Sequence, residues 1–311
     1  VIVNHNDGTF IYSTSTGYIK IWDPSIGDFT STFLLGDSLQ GIALNPDGTK
    51  LYIANGNAEV TEGDAWWDDR IDISLDVLNL INGDKSQIEL TVEGNERGTF
   101  DISIDQNGIG LFSTNFAGSG WNPFRKLDIS NEQIIVNPEL DRVRQNTYLE
   151  TSEDGRYILI QESNSSSGPL HLYDASTQSI IAYTDLYEQG ASGFNTGKAS
   201  ISSASGLVVV STYSYSFIYN LELSLVHNIY NLGTFDRIID VQFSPDGSLL
   251  YVLDDILKKI SVIDTESWLE IDEINTSGYQ DLSASWYDNS ITISSDGEEI
   301  LYTSGVYTYI V

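Results

Sequence analysis

The chain has 311 residues, 41% of them hydrophobic, and sets 45 acidic side chains against 14 basic ones, a formal charge of −31. That charge repels phosphate backbones and anionic membrane surfaces, which excludes nucleic-acid partners. Cysteine and methionine are both absent; this removes disulfides, thiol catalysis and cysteine-based metal sites, and no apolar run approaches the roughly 18 residues of a membrane span, so no membrane insertion is expected.

The N-terminal stretch reads as four short strands, VIVNHNDG, TFIYSTS, GYIKIWDPS and FTSTFLLG. Its first turn is an Asn-Asp-Gly. The same phrase, an apolar stretch, a DG or NG turn and a second apolar stretch, follows along the chain. It reads IALNPDGTKLYIAN, ISIDQNGIGLFST, LETSEDGRYILIQES, a degenerate ISSASGLVVVSTY, VQFSPDGSLLYVLD and ITISSDGEEILYTS. The turn glycines are Gly8, Gly48, Gly108, Gly155, Gly206, Gly247 and Gly297, at spacings of 40, 60, 47, 51, 41 and 50. A period of roughly 40–50 residues with hairpin turns is the signature of a β-propeller. The sixth copy is the clearest template: IIDVQFSPDG, SLLYVLDD, KKISVIDTES and WLEIDEINTSG alternate or concentrate apolar residues as four antiparallel strands do. Pro245 presets φ for its turn and Gly247 tolerates positive φ. The expected fold is all-β, one seven-bladed propeller over residues 1–311. Its four-stranded blades run 1–37, 38–95, 96–145, 146–194, 195–233, 234–278 and 279–311. The last repeat offers only VYTYIV after its second strand, so its fourth strand is expected beyond this sequence, leaving an open edge.

The combination SPDG…LYV…ISVIDT resembles the YVTN-type and WD40-type seven-bladed propellers over nearly the whole chain. The resemblance implies a fold and leaves activity open. Asp23, Asp174 and Asp264, each ending a third strand, are expected to accept backbone hydrogen bonds in the next turn.

In this architecture the DG turns share one face, and the loops between second and third strands share the other with the blade links. The second face holds the irregular insertions: NGNAEVTEGDAWWDDRID, NFAGSGWNPFRK and ESNSSSGP, with YEQGASGFNTG and YQDLSASWYDNS at blade links. It is therefore the candidate binding face. Trp66, Trp67, Trp121, Phe124, Trp286 and Tyr287 fall there. Flat apolar rings stack on sugars or grip peptide side chains at small entropic cost; alternatively they fold inward and plug the wide end. Glu62, Asp64, Asp68, Asp69 and Asp72 crowd the blade-two insertion as candidate calcium ligands, because calcium takes 6–8 hard oxygens. An acidic loop partly neutralised by Arg70 is the competing reading.

Enzyme readings are weaker. His5, His171 and His227 fall in different blades, and no G-x-S-x-G, P-loop or H-E-x-x-H motif occurs. The sequons at Asn164 and Asn275 matter only in a glycosylating host. Lacking methionine, Val1 is not a translational start, so the chain is expected to be a processed product or a domain cut from a larger exported or cell-surface protein with flanking domains. The expected role is non-catalytic recognition or adhesion, with a glycan or protein partner. The alternatives are a carbohydrate- or lactone-acting hydrolase or lyase, an interaction scaffold, and a structural module.

Overall fold

The computed structural model describes residues 2–5, 8–13, 17–36, 38–56, 59–61, 70–93, 96–116, 120–162, 168–188, 198–212, 216–229, 238–254, 256–277, 291–304 and 307–310. They form an all-β propeller of four-stranded antiparallel blades, with no α-helix among them. Two compact units divide the chain, Val3–Leu149 and Glu150–Val311.

The first sheet pairs β1 (Ile2–Asn4), β2 (Phe10–Ser13), β3 (Tyr18–Asp23) and β4 (Asp28–Leu34) in chain order. The second takes β5 (Leu39–Leu44), β6 (Lys50–Asn55), β8 (Arg70–Asn79) and β9 (Lys85–Leu90); β7 (Glu59–Thr61) pairs with the N-terminal end of the long β8. The third takes β10 (Glu96–Ile104), β11 (Ile109–Phe116), β13 (Arg125–Asp128) and β14 (Gln133–Val136). Between them, β12 (Trp121–Pro123) leaves the sheet to pair with β15 (Arg142–Arg144). The fourth sheet holds β16 (Tyr148–Thr151), β17 (Tyr157–Gln161), β18 (Pro169–Asp174) and β19 (Ser179–Asp185). The fifth holds β20 (Lys198–Ser202), β21 (Leu207–Ser211), β22 (Ser216–Asn220) and β23 (Leu225–Asn228). The sixth holds β24 (Ile238–Phe243), β25 (Leu249–Asp254), β26 (Lys259–Asp264) and β27 (Glu270–Asn275).

The seven-blade expectation is corrected here. Six sheets complete the four-strand path, so the described residues hold six blades. The seventh repeat contributes a three-stranded sheet, β28 (Ile291–Ile293), β29 (Ile300–Ser304) and β30 (Tyr307–Ile310). Its last stretch supplies residues for one strand, and no fourth strand pairs with β30 among the described residues.

The apolar core lies between consecutive sheets. In β21, Val208 and Val210 join the core shared with the fourth sheet, around Leu159, Leu172 and Leu186. Val209 between them joins the core shared with the sixth sheet, around Val241, Leu250 and Val252. Successive side chains of a strand point to opposite faces. A continuous apolar run such as LVVV therefore marks a strand buried on both faces. Each such side chain contributes roughly 1.5–3 kcal/mol by burial. Outer strands are less buried: β9 turns Ile88 and Leu90 inward between exposed residues, and β27 leaves Ile271, Asp272 and Glu273 exposed.

The repeated turns rest on short-range carboxylate chemistry. Asp246 Oδ1 accepts from the Ser244 hydroxyl at 2.7 Å, from the Ser248 amide at 3.0 Å and from the Ser248 hydroxyl at 2.8 Å. The Gly247 amide donates to Ser244 O at 2.8 Å, with φ at +70°. These donors, Ser244 first, pull the Asp246 carboxyl down to about 2. Thr49 does the same for Asp47, and Ser294 for Asp296, lowering both. At the other hairpin end of the first, fourth and sixth blades, Asp23 Oδ1 accepts Ser25 N at 2.9 Å, Asp174 Oδ1 accepts Ser176 N at 2.8 Å and Asp264 Oδ1 accepts Ser267 N at 2.7 Å. The expected Asx turns are thus present.

Candidate functional site

The most developed surface feature in the first unit is the β12–β15 ribbon. In its register Trp121 lies opposite Arg144, Asn122 opposite Val143, and Pro123 opposite Arg142. Alternation sorts these side chains by face. Asn122 and Val143 point inward and are buried; Pro123, at the end of the ribbon, is buried as well. Trp121, 56% exposed, lies outward with Arg142 and Arg144. The Arg144 guanidinium sits over the Trp121 ring, 4.6 Å from its centroid, a cation–π contact. Arg142 Nη1 donates to Trp121 O at 3.2 Å, and Arg142 Nη2 is 3.9 Å from Glu93 Oε2. Trp121 is therefore an exposed ring whose backbone and one face are both restrained.

The ribbon stands on a rigid base. Asn122 Nδ2 donates to Thr114 O at 3.0 Å, to Thr114 Oγ1 at 2.9 Å and to Asn115 O at 3.1 Å. Gly120 N donates to Gln145 Oε1 at 2.8 Å, and Gln145 N returns a bond to Gly120 O at 3.1 Å. Beneath them lies a buried ion pair. Arg125 Nη1 bonds Glu96 Oε1, and Arg125 Nη2 bonds Glu96 Oε2 at 2.7 Å. Glu96 also accepts from Thr114 Oγ1 at 2.7 Å and from Glu93 N at 2.9 Å, while Arg125 Nη2 donates to Thr91 O at 3.2 Å. Paired and hydrogen-bonded on both sides, this forked contact is the geometry in which a buried charge pair is tolerated.

The sequence candidates separate here. Trp121 is exposed on a strand, not in a loop. Phe124 is fully buried; its amide donates to Asp141 O and its carbonyl accepts from Asn137 N, so it packs the interior and presents no ring to solvent. Trp66, Trp67, Trp286 and Tyr287 lie outside the described residues. So do Glu62, Asp64, Asp68 and Asp69. Asp72 is in β8, opposite Glu59. No group of three or more metal-ligating side chains occurs among the described residues. Sequence reasoning does not single out Arg142 and Arg144, although the alternation Arg142-Val143-Arg144 in so acidic a chain is a visible signal.

The three histidines are each engaged locally. His5 Nε2 is 2.8 Å from Gly48 O. His171 Nε2 lies 3.2 Å from Glu162 Oε1, and its ring tilts against Tyr183. His227 stacks on Trp268 at 5.1 Å, and burial lowers its pKa.

No family model matches this chain, and no curated protein matches it in sequence. In three dimensions it is similar to Kuenenia stuttgartiensis hydrazine synthase, with a TM-score of 0.69 at 13% identity over 100% of this chain and 94% of that one. In all, 1531 solved chains match. So common a likeness, at that identity, concerns the fold alone.

Proposed function

We propose that this chain is a non-catalytic recognition module of an exported or cell-surface protein, and that the Trp121 surface binds a glycan. The observation that carries the reading is the exposed Trp121 ring on a braced ribbon. An indole in that setting loses little freedom when a sugar ring stacks on it, because its strand is already held by Arg142 and Gln145. The repeat phrase SPDG…LYV…ISVIDT supports grouping the chain with YVTN- or WD40-type propellers. Calcium at the blade-two carboxylates remains part of the proposal, as an aid to that face.

The test is a glycan and peptide array probed with the wild-type chain and with Trp121→Ala, with and without calcium. Glycan signals should appear with the wild type and drop at least tenfold in the variant, at equal melting temperature. A blank glycan array, or one unchanged by the substitution, overturns the assignment.

A further inference from the structure

We infer that the Trp121 surface selects an acidic glycan, a chain of pyranose rings bearing carboxylates. This deepens the recognition reading above and rests on it.

Charge is the first argument. The chain carries only 14 basic residues against 45 acidic ones. Two of those 14 stand on the same face of a three-residue strand, β15, and they flank an exposed tryptophan. Both are arginines, whose forked N–H donors match the two oxygens of a carboxylate in a way that lysine cannot. Arg142 is half exposed, and Glu93, the carboxylate 3.9 Å away, is equally exposed. An exposed pair at that separation holds its partners weakly, so the guanidinium is open to exchange for a ligand carboxylate.

Shape is the second argument. A sugar ring stacked on Trp121 places a ring-borne carboxylate at the edge of the indole. Arg144 already lies over that ring, and Arg142 bonds the Trp121 carbonyl. Tryptophan and arginine also anchor protein partners, but within a packed apolar surround. Among its described residues this ribbon face offers one indole with two guanidinium groups and no exposed aliphatic side chain. A single stacking platform flanked by carboxylate-matching forks favours an acidic glycan over an acidic peptide.

The net charge of −31 opposes the approach of any polyanion. That field fades over about 8 Å at 0.15 M salt, whereas the guanidinium–carboxylate contact acts at hydrogen-bond range. The experiment is therefore run at that ionic strength.

The probes are polygalacturonate, alginate and hyaluronan, with fully methyl-esterified polygalacturonate and dextran as uncharged counterparts and polyglutamate as the acidic peptide. Binding of the whole chain is read by calorimetry. An acidic polysaccharide should bind at least tenfold tighter than its uncharged counterpart. Arg142→Gln with Arg144→Gln should abolish that preference while leaving the melting temperature within a few degrees. Arg142→Lys, which keeps the charge and loses the fork, should weaken binding severalfold. Equal binding of acid and ester, with both lost in Trp121→Ala, overturns the acidic selectivity and leaves glycan recognition standing. Polyglutamate binding as tightly as the sugars overturns it in favour of an acidic peptide. No binding to any acidic polysaccharide also overturns it; whether glycan recognition fails too is then read from the array.

Discussion

The Asp101 carboxylate spans two strands: Oδ1 accepts the amide of Ile102 at 2.9 Å, and Oδ2 accepts the amide of Leu149 on β16 at 2.8 Å. Asp240 repeats the arrangement with Val241 at 2.9 Å and Ile291 on β28 at 2.9 Å. Both aspartates sit seven residues before a turn glycine, beside a bulge in their strands.

Asp101→Asn should therefore be more damaging than an isosteric change suggests. An amide side chain presents one acceptor and one donor, and the donor faces an N–H. The expected loss is about 1–3 kcal/mol, the cost of one orphaned buried amide. Gly41 makes the neighbouring test, since a Cβ there would lie 2.8 Å from Asp101 Cα. Gly41→Ala should also destabilise, and combining it with Asp101→Asn should give less than the sum, because the two changes disturb one site. Urea unfolding of the three variants measures this.

The Glu96–Arg125 pair carries the second prediction. Their side chains are 0% and 4% exposed. Glu96→Gln leaves a buried guanidinium without its charge partner, at a cost of about 3–5 kcal/mol. By contrast Glu93→Gln, at the half-exposed end of the Arg142 pair, should change stability by less than about 1 kcal/mol. Melting temperatures of the two variants should differ clearly.

Acid stability follows from the turn carboxylates. Asp246 falls from 3.8 to about 2 in the fold, and Asp47 and Asp296 are also lowered. A depressed folded pKa contributes stability that is present above the unfolded value and lost as pH falls through the folded one. Melting temperature should thus fall between about pH 4 and pH 2. Asp246→Asn should lower it at pH 7 and shrink its dependence on pH in that window.

Two turn glycines distinguish backbone strain from crowding. Gly27 has φ of +65° and open space where a Cβ would stand, while Gly247 has φ of +70° with Ser205 Cβ 2.7 Å from a Cβ placed there. Gly27→Ala should cost about 1–2 kcal/mol, the left-handed penalty alone. Gly247→Ala should cost more, because the turn of the fifth sheet must also move. Thermal unfolding of the two variants side by side gives the comparison.

What the sequence displayed was mostly short-range. The DG turns and the Asp23, Asp174 and Asp264 turns depend on partners within five residues, so their geometry is written locally. The four strands of the sixth sheet fall where the template places them. The ribbon was not legible, because Trp121 meets Arg144 across 23 positions that include two strands of another sheet. Phe124 sits in a segment whose composition suggests a loop, yet it is buried, with its backbone bonded to Asp141 and Asn137. Arg125 reads as a surface charge until Glu96, 29 residues earlier, is found beneath it. In each miss the deciding partner was distant in sequence.

The repeated turns also govern how the chain ages. Of the dipeptides that begin with aspartate, Asp-Gly is the most open to cyclisation, in which the glycine nitrogen attacks the side-chain carboxyl carbon. In the folded chain Gly48, Gly155, Gly247 and Gly297 each donate that amide to the carbonyl three residues back, at 2.8–2.9 Å. The preceding carboxylates Asp47, Asp154, Asp246 and Asp296 are held by neighbouring hydroxyls and amides. The nucleophilic amide is engaged, and the same bonds lower each carboxyl and keep it ionised, the form least open to attack. The native turns therefore resist isoaspartate formation, and the damage accumulates in chains that have unfolded.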